Sequence, residues 1–400
     1  MSAIKGSTIM RPIRKFEVLA ASNPFVYCIT FTLTFYLFVA LFSSFSLVEG
    51  YFDYDEYLNM TLGNFENVTE PFASRIFGPL LAHWLMRFAH ISPTSALSVV
   101  CGVGWALVPI AAGYLLFLCS VPVRWSLIIA TVPFPAVDAR YYLVPDAWAA
   151  LSVILFMIAV KIDKHACAFV ASCAAMFVRS SSAAAIIIWS AAASPDSRFR
   201  WVRISICGVG FGLVLKYFAF QTHSSNVHHM NQALYYLAKV PVNLLHNLVG
   251  IQFYSDSINW CSPPIFAFDV SKIPGMGRIH MLGVCTPDFG NLARALVCYF
   301  FIFGALPIWL LISEAPRDRW TRARLKGDLT PLVFLVFFAL APGFGRTVVR
   351  LFIEAYPLLL LAVVRASNSG YPDRLAPMLF FLVYNLVGMA IIAFILPLEP

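Results

Sequence analysis

The feature that most constrains this chain is a series of long, nearly uncharged apolar runs separated by polar connections. Most runs span roughly 14 to 25 residues, the length an α-helix needs to cross the hydrocarbon core of a bilayer. The chain is 60% hydrophobic and only 12% charged, and its mean hydropathy is +0.78. A soluble domain of 400 residues needs more polar surface than this composition provides. The sequence therefore predicts an all-α, polytopic transmembrane helical bundle.

About eleven runs are predicted to span the membrane, and together they form one transmembrane domain over residues 1–400. The clear spans are residues 24–48, 96–119, 147–160, 203–220, 295–312, 351–364 and 376–396. The shorter ones are residues 126–137, 166–178, 181–193 and 329–342. Short runs are also compatible with half-helices that are buried against neighbouring helices.

Basic residues are distributed unevenly among the connections. The N-terminal tail carries Lys5, Arg11, Arg14 and Lys15, and residues 314–328 carry five more. Because Lys and Arg accumulate on the cytoplasmic side, the N-terminus is predicted to be cytoplasmic, and alternating spans leave most of the 28 basic residues inside. The net charge of +8 is then explained by topology and by anionic lipids, which are expected partners, and it does not indicate nucleic acid.

Two long external loops follow from this topology, residues 49–95 and 221–294. In the first, residues 75–90 repeat polar side chains at intervals near three and four, which predicts a short interfacial helix. In the second, residues 230–253 predict another surface helix. Residues 254–288 are rich in Pro, Gly, Asp and Ser and predict an ordered loop.

Cys261 and Cys285 both lie in the second external loop. A disulfide between them is expected only if that compartment is oxidising, and the alternative of two free thiols stays open. The remaining cysteines show no metal-ligand spacing.

Three carboxylates, Asp53, Asp55 and Glu56, occur within four positions directly after the first apolar run. Carboxylates this close at a low-dielectric boundary suit binding of a cation, or acceptance of a proton from an incoming hydroxyl. The alternative is a solvated acidic turn at a helix end. The ligands of any metal are unknown at this stage, and a divalent cation such as Mg²⁺ or Mn²⁺ is left open.

Basic side chains recur near the outer ends of the predicted spans. An arginine at membrane depth costs free energy unless it pairs or lines a polar cavity, so it is a functional hypothesis. For any single residue the alternative is snorkelling, in which the guanidinium reaches interfacial water or lipid phosphate. The residues are Arg75, Arg140, Arg179, Lys216, Arg346 and Arg350.

Carboxylates and guanidinium groups at a lipid–water boundary suit transfer of a group from a lipid-linked phosphate. A carboxylate deprotonates the attacking hydroxyl as a general base, and guanidinium groups hold the departing phosphate. The chain contains no Gly-rich phosphate loop after a strand pattern. A donor that is anchored by its own lipid tail requires no such loop.

Three short motifs connect the chain to a family. Asp53-Tyr54-Asp55-Glu56 contains both a D-x-D and a D-E pair, residues 75–80 read R-x-x-x-P-L, and residues 350–359 combine an arginine with Tyr-Pro-Leu-Leu. With these motifs the chain resembles the GT-C superfamily of integral membrane glycosyltransferases. The resemblance implies inverting transfer of a sugar from a polyprenyl-phosphate donor to a glycan or lipid acceptor on the extracytoplasmic face.

The resemblance also implies residue roles. Asp55 is expected to be the general base, and Asp53 or Glu56 to position the acceptor or a metal. Arginines are expected to bind the donor phosphate: Arg346 and Arg350, helped by Arg75 or Arg179. The expected setting is a bacterial inner membrane with the active site facing the periplasm, in polysaccharide biosynthesis of the cell envelope.

Other functions stay open. A polymerase or ligase for O-antigen or another polysaccharide uses a lipid-linked donor and shares most of these features. A transporter or flippase is the alternative from another class, and it predicts ionisable groups at mid-span and broken helices. A non-enzymatic membrane scaffold leaves the outer arginines unexplained.

Overall fold

The computed structural model describes 10–42, 52–64, 68, 75–133, 145–179, 182–192, 197–219, 253–255, 264–272, 280–285, 301, 304, 356, 360 and 375–394. This part of the chain is mostly helical and contains one small sheet. The predicted spans 295–312, 329–342 and 351–364, and the predicted surface helix 230–253, lie almost entirely outside the described residues.

The helices of the described residues, in chain order, are α1 Met10–Ser22, α2 Pro24–Phe42, α3 Phe52–Leu62, α4 Phe77–Ala89, α5 Pro93–Leu118, α6 Val123–Ala130, α7 Asp146–Lys161, α8 His165–Val178, α9 Ser182–Ala192, α10 Arg198–Ala219 and α11 Leu375–Phe394. Helices α2 and α5–α11 coincide with predicted apolar runs, and α4 coincides with the predicted interfacial helix. Within the described residues, α2 and α5 are long and apolar enough to cross a membrane. The N-terminal tail is helical as α1, which the sequence analysis did not anticipate.

Neighbouring helices pack through specific contacts that define their directions. The Tyr27 hydroxyl at the start of α2 donates to the carbonyl of Val121, just after α5, at 2.9 Å, so α2 and α5 are antiparallel. Trp148 near the start of α7 donates from Nε1 to the carbonyl of Val100 near the start of α5 at 3.1 Å. These contacts place the starts of α5 and α7 at the same end of the bundle.

Helices α8 and α10 run parallel and approach very closely. An added Cβ at Gly208 would be 2.8 Å from the carbonyl oxygen of Phe169, and one at Gly212 would be 2.7 Å from that of Cys173. Glycine permits this backbone approach because it has no side chain. Because the two helices are parallel and closely packed, the end of α10 lies beside the end of α8.

The two ends of the bundle differ in how they hold charge. We call the end where α5 and α7 finish and α8 begins the basic end. Its Arg200–Asp163 pair is exposed, with Arg200 Nη2 at 2.8 Å from Asp163 Oδ1, and its Arg124–Glu17 pair is half-buried, with Arg124 Nε at 3.8 Å from Glu17 Oε1. We call the opposite end, where α5 and α7 begin and α8 finishes, the α3 end.

A three-stranded antiparallel sheet corrects the prediction that the fold is all-α and that residues 254–288 form only a loop. The strands are β1 Phe253–Ser255, β2 Phe266–Asp269 and β3 Met281–Val284, in the order β1-β3-β2. Strands of three or four residues show too little alternation to be recognised among Pro and Gly. Cys285, directly after β3, is disulfide-bonded, and its partner lies outside the described residues, so pairing with Cys261 stays a prediction.

Candidate functional site

The predicted carboxylates lie in the first five residues of α3. Negative charge is favourable there because the helix dipole is positive at its N-terminus. Asp55 is exposed, whereas the adjacent Glu56 is buried, with 8% of its surface accessible. Two neighbouring acids therefore occupy different environments, and Asp55 is the one that is open to solvent. The side chain of Asp53 lies outside the described part of the chain.

Arg75 contacts the helix that carries these acids. Its Nη1 atom donates to the hydroxyl of Tyr57 on α3 at 3.0 Å, and the Tyr57 side chain is fully buried. Further along α3, the Thr61 carbonyl lies 2.8 Å from Nδ1 of His83 on α4. The two contacts hold α3 against the segment from Arg75 into α4, so the structure brings one predicted arginine to the acidic helix.

Arg179 lies in the break between α8 and α9, where the backbone is extended with φ −161° and ψ 120°. Its N–H donates to the Ala175 carbonyl at 2.8 Å, and its own carbonyl accepts from Ser182 at 3.0 Å. The side chain points into the bundle and is only 7% exposed. The backbone bonds fix both helix ends, and the side chain of this arginine lies inside the protein, while its role in binding stays a prediction.

Asp146 is the partner of Arg179, and the sequence analysis missed it. It is the first residue of α7, its side chain is 4% exposed, and its Oδ1 atom lies 3.5 Å from Arg179 Nη1. The available signal was Pro145-Asp146 immediately before an apolar run. Charged residues in apolar segments are expected to pair with one another. By that rule an acid at the start of one apolar run could have been proposed as the partner of an arginine at the end of the next, antiparallel run.

Lys216 adds a second buried cation at the end of α8. Its side chain is buried, and Nζ donates to the Met176 carbonyl in the last turn of α8 at 2.9 Å. A cation is favourable there because the C-terminal end of a helix carries partial negative charge. Lys216 from α10 and Arg179 from the α8–α9 break therefore approach the same helix end.

Apolar packing joins the acidic helix to this pair of cations. An added Cβ at Gly78 in α4 would lie 2.5 Å from Cβ of Pro145, so the start of α4 rests on the residue before Asp146. The ring centroids of Phe77 and Trp148 are 5.3 Å apart. Tyr57 belongs to a buried cluster against which Phe177 packs. The acidic helix and the end of α8 thus lie at the same end of the bundle and are connected through α4 and one apolar cluster.

All buried charged side chains of the described residues lie at the α3 end: Glu56, Asp146, Arg179 and Lys216. We call these residues the four buried charges. Ionised groups are costly to remove from water unless they pair. Their restriction to one end, while the described ion pairs of the basic end are exposed or half-buried, marks the α3 end as the candidate site.

Several predicted site residues are not tested by this geometry. Arg140, Arg346 and Arg350 lie outside the described residues. Among the residues that the structure describes, no group of three or more His, Cys, Asp or Glu side chains is placed to hold a metal ion. A divalent metal therefore stays a prediction.

Comparison with known proteins assigns no function to these residues. No protein-family model, curated protein or solved structure matches the chain.

Proposed function

We propose that this chain is an integral membrane glycosyltransferase that takes a sugar from a polyprenyl-phosphate donor and transfers it to a glycan or lipid acceptor. One observation supports this above the others. An exposed carboxylate, Asp55 on α3, and two buried cations, Arg179 and Lys216, lie at the same end of the bundle. Transfer from a lipid phosphate requires both a proton acceptor and cations that bind the phosphate.

The outward faces of the helices support a membrane location. Large apolar side chains point away from the protein, including Leu33 and Leu37 of α2, which are 64% and 63% exposed, and Phe211 and Phe218 of α10, which are 49% and 74% exposed. Extended apolar surface of this kind is unfavourable in water and favourable in lipid. We propose a polytopic protein of about eleven spans, with the basic end cytoplasmic and the α3 end on the outer face.

In the proposed reaction the acceptor hydroxyl attacks the anomeric carbon of the donor sugar. A new carbon–oxygen bond forms to the acceptor, and the bond from the anomeric carbon to the phosphate oxygen breaks, with inversion. The hydroxyl proton passes to the Asp55 carboxylate, and the bonding electrons leave with polyprenyl phosphate. Asp55 suits the role of base because it is exposed, whereas buried Glu56 is placed to hold α3 in position.

The cations stabilise the negative charge that develops on the departing phosphate. A guanidinium presents five N–H donors in a fixed plane that matches phosphate geometry. The contact between Arg75 and Tyr57 fixes the position of one guanidinium beside α3, and the contact between Arg179 and Asp146 fixes a second. Lys216 adds a point charge at the end of α8.

The experiment uses the full chain, purified and reconstituted in nanodiscs, with labelled polyprenyl-phosphate sugars and release of polyprenyl phosphate as the readout. Asp55→Asn should reduce turnover by about 10²- to 10⁴-fold, because general-base catalysis contributes that much. Asp163→Asn is the matched control, since it makes the same change in an exposed acid at the basic end, and it should leave turnover unchanged.

Three outcomes of this experiment contradict the proposal in different ways. Full activity of Asp55→Asn rejects the assigned base while retaining the enzyme. Release of carrier only from polyprenyl-diphosphate oligosaccharides supports the polymerase or ligase instead. Movement of lipid between leaflets without cleavage of any donor supports a flippase.

A further inference from the structure

We infer that Asp146 is a positioning residue that directs the Arg179 guanidinium toward the phosphate of a polyprenyl-phosphate ligand. The inference deepens the proposed function and rests on it. It assigns to Asp146 no contact with the substrate. It assigns to the Asp146–Arg179 pair a role in binding beyond its role in holding α7 against α8.

The local backbone explains why Arg179 benefits from a partner. The residue is extended between two helices, so its side chain begins where the regular helix surface has ended. A long side chain with several rotatable bonds loses considerable entropy when it is held in one orientation. A carboxylate supplied by a different helix holds it without distorting α8 or α9.

Asp146 is itself firmly placed. It opens α7 directly after Pro145, whose ring restricts the backbone, and Pro145 rests on Gly78 of α4. The positive end of the α7 dipole favours the ionised carboxylate. The position of the carboxylate is therefore determined by α7 and α4 together, and α4 is the helix that follows Arg75.

The length of the contact fits a directing role. The distance of 3.5 Å between Arg179 Nη1 and Asp146 Oδ1 exceeds the roughly 2.7–2.9 Å of a tight charge-assisted hydrogen bond. At this distance Asp146 acts on the guanidinium mainly through its charge rather than through a tight hydrogen bond.

The surrounding charges agree with an anionic ligand. Lys216 reaches the last turn of α8 through the Met176 carbonyl, and Arg179 follows that turn. Among the described residues, two cationic side chains and the Asp146 carboxylate therefore lie near this helix end. An anion requires such cations there, because the C-terminal end of a helix itself carries partial negative charge.

The test measures binding of polyprenyl phosphate to the full chain in nanodiscs, together with turnover of the sugar donor and the melting temperature. Asp146→Asn should lower turnover on the order of 100-fold, the loss that a displacement of about 1 Å can cause, and should weaken the binding of polyprenyl phosphate. The KM for the donor should rise while the KM for the acceptor stays constant. Asp146→Glu, which keeps the charge, should recover part of the binding.

A double variant separates binding from folding, because removing one partner of a buried pair is destabilising whereas replacing both with apolar side chains is often neutral. Asp146→Leu combined with Arg179→Met should melt near the wild-type temperature and still fail to bind polyprenyl phosphate. Asp163→Leu combined with Arg200→Met, which removes the exposed pair at the basic end, is the matched control and should bind normally.

The outcomes distinguish the two proposals. If the double variant binds polyprenyl phosphate as the wild type does, or if Asp146→Asn raises both KM values equally, the pair is structural and the inference is overturned. If the wild type binds polyprenyl phosphate and Asp146→Asn weakens that binding, but no carrier is ever released from a sugar donor, the glycosyltransferase is rejected and the positioning role stands. If the wild type does not bind polyprenyl phosphate, both are rejected.

Discussion

Replacement of Gly78 by Ala tests the contact that connects the segment after Arg75 to Asp146. Gly78 lies in the first turn of α4 and is buried. A Cβ built there would lie 2.5 Å from Cβ and 3.3 Å from Cγ of Pro145. Since non-bonded carbons prefer about 3.5–4.0 Å, α4 and the start of α7 must separate by about 1 Å. Pro145 is part of a rigid ring and has no alternative rotamer to relieve the clash.

Two opposing effects set the magnitude. Overpacking of a filled interior typically costs about 1–3 kcal/mol, while Ala in place of Gly in a helix contributes about 0.5–1 kcal/mol of stability. Gly102 of α5 is also helical, but a Cβ there meets nothing within 4 Å, so Gly102→Ala shows the propensity effect alone. Gly78→Ala should therefore be less stable than Gly102→Ala by about 1–3 kcal/mol.

The assay compares chemical unfolding of both variants in the same mixed micelles, followed by tryptophan fluorescence, and then measures their polyprenyl-phosphate affinity. Gly78→Ala should lose affinity as well as stability because Asp146 follows Pro145, whereas Gly102→Ala should keep both. Equal stability of the two variants would refute the packing argument. Lower stability of Gly78→Ala with unchanged affinity would refute the mechanical connection between Gly78 and the site.

Three further predictions concern other parts of the molecule. Trp84 of α4 is 57% exposed, so brominated lipids should quench its fluorescence, and Trp84→Phe should reduce the total quenching of tryptophan fluorescence measurably. Unchanged total quenching in this variant would show that α4 does not face lipid. Gly212→Ala should destabilise the protein by about 1–3 kcal/mol, because its Cβ would meet the Cys173 backbone at 2.7 Å, while Gly210→Ala, with nothing within 4 Å, should not; equal unfolding midpoints would contradict this. Hydrogen bonds from Ser271 lower the pKa of Asp269, so the contribution of this carboxylate to sheet stability is present above its unfolded pKa of about 3.9 and is lost as pH falls through the lowered folded value. Ser271→Ala should therefore raise the pKa of Asp269 toward about 3.9, as measured by carboxyl NMR. An unchanged pKa would show that Ser271 does not cause the shift.

The sequence predicted the helices well because long apolar runs leave few alternatives. The predicted run 96–119 became α5, Pro93–Leu118, and the predicted run 166–178 became α8, His165–Val178. The start of α5 has a clear local reason, because Ser92 accepts a hydrogen bond from the Ser95 N–H and caps the helix.

Partnerships across the bundle were harder to predict. Arg179 was recognised as a candidate for a buried arginine, but its partner is 33 residues away on another helix. Hydropathy identifies the helices without showing which of them are adjacent. Asp146 by itself reads as an ordinary acid in a first helical turn, which is common. The sheet was missed because β2 and β3 have four residues each, and their pairing depends on Gly283, where a Cβ would meet the Phe266 carbonyl at 2.5 Å.

The position of the buried charges along their helices helps to distinguish a transferase from a transporter. A transporter of the inverted-repeat type places its charges near the middle of broken helices. In the described helices, Asp146 is the first residue of α7, Arg179 follows the last residue of α8, and Lys216 lies in the last turn of α10. A buried polar residue midway along α11 is the neutral Asn385, which donates to the Ile128 carbonyl and the Thr131 hydroxyl at 3.2 Å.

Charges that are buried but lie at helix ends can bind a phosphate at the membrane surface, where the head group of a lipid resides, without carrying it across the hydrocarbon core. The contact between Arg179 and Asp146 offsets part of the free energy of burying these two charges, whereas the Arg200–Asp163 pair at the basic end of the same bundle is exposed. This difference between the two ends favours chemistry on a lipid head group over movement of a solute through the bundle. A vesicle assay in which the wild type moves lipid or solute without cleaving a donor, and in which Asp146→Asn abolishes that movement, would contradict that argument.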